Sequence, residues 1–316
     1  MSFIGNQNKE ITKDMMSYMS AVAHGKSARK VENRRKELLK TTKDAIRRIQ
    51  TMAPFKGDKS LRDSTGKYLI KLNHILNDDY DKIVNMEEIA EQSYDAMEAY
   101  LTAQDMAHDK LDEAGKNLDI VEKQFAEKNG VKLIASKDEL YKKTEKTSKV
   151  NAYHRVLYLI FFKSYKQEAY MLDAVNKKDI NALEQNKAAL EKTSTEGLSK
   201  IIPISAFNGD ASLKTACKQM LEFYKMESTS KIQILSYFFL SEENFNKIKA
   251  EFDAKPANQR NKSDVDEFNK SLAVFNKSVQ EFNQTNNLLN NNRTKLLNGW
   301  NNASSNFLDT HTPKYK

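Results

Sequence analysis

Phe55-Lys56-Gly57-Asp58-Lys59-Ser60-Leu61 recurs 152 residues later as Phe207-Asn208-Gly209-Asp210-Ala211-Ser212-Leu213. Without a gap, the same offset aligns Tyr18-Met19 with Tyr170-Met171, Val31-Glu32 with Leu183-Glu184, Leu38 with Leu190, Thr41 with Thr193 and Leu69 with Leu221. Two copies are fewer than a solenoid needs, so the chain reads as a duplicated bundle unit. Each copy would hold a long helix, a Phe-x-Gly-Asp-x-Ser-Leu corner, a shorter helix and a long returning helix. Gly57 and Gly209 supply the positive φ of the turn. Asp58 and Asp210, or Ser60 and Ser212, cap the free N–H groups of the next helix. Phe55 and Phe207 anchor the corner, and Leu61 and Leu213 close it. Every corner residue thus has a structural task; Asp58 and Asp210 as paired ligands is the competing reading.

Outward from the corners, punctuation is sparse: Pro54, Gly130, Pro203, Pro256 and Pro313 mark the remaining breaks. Between them apolar residues recur at three- and four-residue spacing, which predicts helices over about 8–51, 60–84, 87–129, 137–201, 212–239, 242–253 and 263–308. The fold class expected is all-α: an elongated bundle of long antiparallel helices, divided at 135/136 into units 1–135 and 136–316. The last helix carries the clearest pattern. Phe268, Phe275, Phe282, Leu289 and Leu296 repeat every seven residues, beside Val265, Leu272, Val279, Asn286, Arg293, Trp300 and Phe307. This is an a/d seam with polar residues at Asn286 and Arg293. Such stripes predict a helix-on-helix core rather than a cofactor box.

Composition narrows the function classes. Nine glycines and four prolines in 316 residues are too few for a sandwich or barrel. One cysteine excludes an intrachain disulfide framework and a multi-Cys zinc site. No apolar run approaches the ~20 residues of a spanning helix. Residues 1–7 carry no basic segment leading into an apolar one, so no signal peptide is read in the sequence as written. A lipid anchor would require a leader removed upstream. None of the five histidines follows a Glu by three residues, as a di-iron bundle requires. Asp105, His108, Asp109 and Asp112 share a helix face, and without a second cluster they read as a solvated acidic stripe. Nucleophile elbow, P-loop and dinucleotide fingerprints are missing. Cys217 reads as an inert buried thiol. No enzyme activity, metal or cofactor is expected.

Charge is segregated. Residues 26–48 hold ten basic and three acidic side chains, and residues 78–122 hold fourteen acidic and three basic ones. Since both lie in one unit, mutual neutralisation is the simpler expectation, and nucleic acid is not expected as a partner: aromatic platforms are missing from 26–48.

Pro54-Phe55-Lys56-Gly57-Asp58 with Leu61, the Tyr153…Phe161-Phe162-Lys163 stretch, the second corner, Val265-Asp266-Glu267-Phe268-Asn269 with its trailing heptads, and Phe307…Pro313 together resemble a family of helical surface proteins. That family was first described among leptospiral surface proteins and also occurs in the Bacteroidetes. The resemblance covers about residues 10–314. It implies an exported, often lipid-anchored protein associated with the outer membrane, and transfers no catalytic residues. The expectation is a non-enzymatic cell-surface or periplasmic bundle that binds a protein or cell-envelope component, or serves a structural role. Two alternatives are an intracellular BAR-like scaffold on anionic lipid, which would need its basic residues on one outer face, and a helical pore-forming toxin, for which the apolar runs are short.

Overall fold

The computed structural model describes residues 2–24, 28–79, 86, 90–133 and 139–315. It is all-α. The helices are α1 (Ser2–Ala23), α2 (Ala28–Gln50), α3 (Ser60–His74), α4 (Tyr94–Asn129), α5 (Glu139–Lys177), α6 (Ile180–Ile201), α7 (Ser212–Met226), α8 (Ile232–Ala254) and α9 (Lys262–His311). A π-helical turn follows α3 at Ile75–Asp79 and another follows α7 at Glu227–Lys231. Among the described residues there is no β-strand, and the isolated bridges Phe55–Asp58 and Phe207–Asp210 are the β-type pairings.

Two expected helices are divided. The segment read as 8–51 is α1 and α2, and 137–201 is α5 and α6. The second break is local chemistry: Lys178 adopts φ +54°, and the Asp179 carboxylate caps α6 by accepting the Ala182 N–H at 2.9 Å. The helix expected at 212–239 is interrupted by the π turn at Glu227–Lys231, and its residues 232–239 join those of the helix expected at 242–253 in one continuous helix, α8. Residues 25–27, 80–84, 87–89 and 137–138 of the expected helices lie outside the described residues.

By contacts the chain forms two compact units, Met1–Arg155 with Ser305–Lys316, and Val156–Ser304. The expected division at 135/136 falls inside the first. The 152-residue offset nevertheless runs through the local structure of both. α2 and α6 start at 28 and 180, α3 and α7 span 60–74 and 212–226, and the π turns span 75–79 and 227–231. Buried Thr42 returns its hydroxyl to the Leu38 carbonyl as Ser194 does to Leu190, and Glu32–Arg35 recurs as Glu184–Lys187.

The corners are built alike. Lys56 and Asn208 have φ of 50° and 51°, Gly57 and Gly209 of 85° and 88°. Asp58 and Asp210 each accept the N–H two residues on, at Ser60 and Ser212, at 2.8 Å. The Asp residues are therefore the caps, and the serines begin the helices. Hydrogen bonds from Ser60 hold the Asp58 carboxyl well below the usual carboxylate range, with Asn129 and Lys128 adding to it. Phe55 meets Phe125 edge to face at 5.7 Å, while Leu61 and Leu213 are buried. Alanine at Gly57 or Gly209 meets open space, so only the backbone objects. Each substitution is expected to lower stability by ~1–2 kcal/mol, the L-residue penalty at positive φ, measurable by urea denaturation.

In the first unit α2 packs on α1 and α3, and α3 packs on α4. The core joins Leu38, Leu39 and Ile49 of α2 to Ile4 and Ile11, to Leu61, Leu69 and Leu72, and to Phe125. Because α3 contacts both α2 and α4, the expected neutralisation of α2 by the acidic segment does not arise among the described residues. Arg34 pairs with Glu37, Lys36 with Glu32 and Arg47 with Asp44, all within α2. Buried Arg35 binds Glu32 and donates to the Leu76 carbonyl at the π turn.

In the second unit α8 and α9 are zipped by phenylalanines. Phe252 stacks on Phe268, Phe245 on Phe275, and Phe238 lies 4.5 Å from Phe282. The heptad Phe238, Phe245, Phe252 thus faces Phe268, Phe275, Phe282 in antiparallel register. Farther along α9, Leu289 and Trp300 are buried, with Trp300 stacked 4.3 Å from Phe161 of α5. Most of the stripe packs against other helices as read, half-buried or buried, while Val265 at its start is exposed.

Candidate functional site

The sequence-predicted corner residues form two local turns, one in each unit, and their hydrogen bonds are spent on capping. Asp58 is also tied down by Asn129 at 3.1 Å and Lys128 at 3.0 Å. The acidic face of α4 is solvated: Asp105, Asp109 and Asp112 are exposed, and Asp105 pairs with Arg155 of α5. The His108 side chain lies outside the described residues. Among the described residues no group of three His, Cys, Asp or Glu could hold a metal ion. Cys217 is buried, its sulfur 3.7 Å from the Leu157 carbonyl oxygen, and burial pushes the thiol up to about 12. At that value it is neither thiolate nor nucleophile near neutral pH. Burial likewise pushes the His154 imidazole down to about 4, leaving it neutral.

Sequence reading missed the most unusual chemistry, a buried ionic cluster in the second unit. Arg293 of α9 donates from Nε to Glu168 of α5 at 2.6 Å and from Nη2 to Glu227 at the start of the π turn. Nη1 binds the Asn290 side chain, and the guanidinium lies 5.8 Å from the Phe223 ring. Glu227 is 0% exposed and Glu168 2%. Two carboxylates share one cation in a dry setting, so one negative charge would be uncompensated if both were ionised. Glu227 Oε2 and the Tyr224 hydroxyl are buried with no hydrogen-bond partner among the described residues. Burial, then the Glu168 charge, pushes Glu227 up to about 9 against the pull of Arg293. Glu227 is accordingly the protonated member near neutral pH. The 152-residue offset places Met16 and Ile75, both buried, where the second unit has Glu168 and Glu227. The bundle therefore does not need charge at these places.

Beside the cluster, α5, α8 and α9 border a concavity of about 510 Å³. Phe238, Phe239 and Phe282 line it together with Asn176, Asn286, Asn290 and Lys178. Lys178 is neutralised by Glu242 at 2.6 Å. Phe238 is in ring contact with both Phe275 and Phe282. The lining offers amides and hydrocarbon, which suit binding; no nucleophile with an adjacent base is among them. Among the described residues no helix is long and apolar enough to cross a membrane.

Comparison of the chain with protein-family models, with curated proteins and with solved structures gave no match.

Proposed function

We propose that this chain is a non-enzymatic helical-bundle protein of the bacterial cell surface or periplasm, built from two copies of one ancestral unit, that binds a protein or another cell-envelope component. The observation that carries the binding reading is the disposition of its reactive groups. Glu168, Glu227, Arg293 and Cys217 are packed inside the second unit, whereas the concavity beside them is lined by amides, hydrocarbon and an ion-paired lysine. A catalytic site needs the reverse arrangement, with its acid, base or nucleophile within reach of a bound molecule. The envelope assignment is supported by the resemblance carried by the two corners and the Phe-Asn heptads of α9. The duplication is supported by the element boundaries that recur at one offset.

Fractionation and surface proteolysis of intact cells producing the native protein test the assignment. The chain is expected in the envelope fraction and is expected to be cleaved by, or released to, a protease that cannot enter the cytosol. Recovery in the cytosol alone, with full protection from the protease, overturns it.

A further inference from the structure

We propose that the outer face of α2 is a docking surface for a bilayer of anionic phospholipid. Arg29, Lys36, Lys40, Lys43 and Arg47 are exposed and recur at spacings of seven, four, three and four residues. At 100° per residue they fall within a sector of about 60°, and at 1.5 Å per residue they run ~27 Å along the helix. That sector lies opposite the face carrying Leu38, Thr42, Ala45 and Ile49, which are buried against the neighbouring helices. The line of charge is thus held rigidly outward by the same packing that fixes α2 in the bundle. Lys30 and Arg48, also exposed, flank it.

The acids of α2 cancel this charge only in part, at Lys36 and Arg47. Glu32 is taken by Arg35 and Lys36, Glu37 by Arg34, and Asp44 by Arg47. Arg29, Lys30, Lys40, Lys43 and Arg48 make no ion pair among the described residues. Three unpaired cations in that sector, with two more flanking it, call for an anionic partner. A bilayer fits better than nucleic acid for two reasons. First, α2 contains no aromatic residue on which bases could stack. Second, the helices packed against α2 expose large apolar side chains: Phe3 and Val22 on α1, and Ile70 on α3, are 43%, 47% and 49% exposed. Cations together with exposed hydrocarbon in one unit suit the headgroup boundary better than they suit nucleic acid. The inference goes beyond the proposed envelope assignment and stands independently of it.

Co-sedimentation of the full chain with vesicles tests it, using phosphatidylcholine alone and phosphatidylcholine with about 30% phosphatidylglycerol, at low and high salt. Binding is expected only to the anionic vesicles and is expected to weaken steeply with salt. Each cation near such a surface contributes about fivefold, so Arg29→Glu with Lys40→Glu and Lys43→Glu should bind at least ~100-fold more weakly. Because all three side chains are exposed and unpaired, the melting temperature should stay unchanged, and arginine at positions 40 and 43 should retain binding. The matched control is Lys247→Glu with Lys262→Glu and Lys270→Glu, which changes the net charge equally on exposed positions of the second unit. Equal loss in the two triple variants would make binding a matter of net charge and overturn the proposal. So would salt-sensitive binding to duplex DNA without binding to anionic vesicles, or no binding to either.

Discussion

Arg293→Met is expected to lower stability by about 3–5 kcal/mol, the cost of leaving buried carboxylates without their cation. The guanidinium is the common partner of Glu168 and Glu227, and both lie out of reach of solvent. Once it is removed, the buried negative charge of the pair keeps its desolvation penalty and loses its compensation, and the protonated Glu227 carboxyl loses a hydrogen-bond donor. Urea denaturation with the same slope as the parent would show that the loss is one of stability rather than of native structure. The reverse change is more telling. Glu168→Met with Glu227→Ile installs the residues found at the corresponding positions of the first unit, Met16 and Ile75. Combined with Arg293→Met it makes the site hydrocarbon throughout. This triple variant should recover the parent's stability or exceed it by ~1–4 kcal/mol. A single Arg293→Met variant as stable as the parent would mean that the carboxylates are not buried in solution.

The same cluster makes stability depend on pH in a direction opposite to that of an ordinary salt-bridged carboxylate. Folded, Glu227 holds its proton up to about pH 9; an unfolded Glu ionises near 4.5. The folded state therefore binds the extra proton throughout that window, and its contribution is complete below the lower value. Stability should fall as pH rises from about 5 to 9 and level off above it. The groups interacting with Glu227 are Glu168 of α5, Tyr224 of α7 and Arg293 of α9, and Tyr165 of α5 acts on Tyr224. Burial, with the charges of Glu168 and Glu227 adding to it, pushes the Tyr224 hydroxyl well above its ordinary range, so it stays neutral across the window. Glu227→Gln keeps the shape and removes the proton. Thermal melts of parent and variant between pH 5 and pH 9 should differ least at the acid end. At the alkaline end the variant should be the more stable. Parallel profiles would show that Glu227 is already ionised in the folded protein.

How far the sequence could be read depended on whether a feature is local. The α9 heptad and the two corners were legible, because spacing and backbone chemistry alone produce them; which residue caps, Asp or Ser, was left open until the hydrogen bonds to Asp58 and Asp210 decided it. The break at Lys178 was missed, since a helix can end without glycine or proline when a lysine takes positive φ and the next Asp caps. The matching seam Phe238, Phe245, Phe252 lay in plain view at seven-residue spacing, although the boundary expected near residue 240 divided it. Arg293 was recognisable as a polar core position, but its partners are 125 and 66 residues away. Only packing joins them. One signal was available: at the offset of the repeat, Glu227 stands opposite Ile75 and Glu168 opposite Met16, so comparing the copies exposes charge where hydrocarbon suffices. The fate of the basic segment depended on α3 lying against both α2 and α4, which periodicity does not reveal.

Three like rungs spaced by seven residues leave the α8–α9 zipper with a degeneracy. A slip of one heptad, ~10.5 Å of translation, would still stack two of the three phenylalanine pairs, so aromatic contact alone distinguishes the right alignment from the wrong one by a single rung. Arg293 lifts that degeneracy. After the slip its guanidinium would be carried away from Glu227, and Asn286 or Trp300 would stand before two carboxylates that neither can neutralise. The ionic cluster is thus the vernier mark of the hairpin: it adds little to the correct alignment but makes the neighbouring one prohibitive.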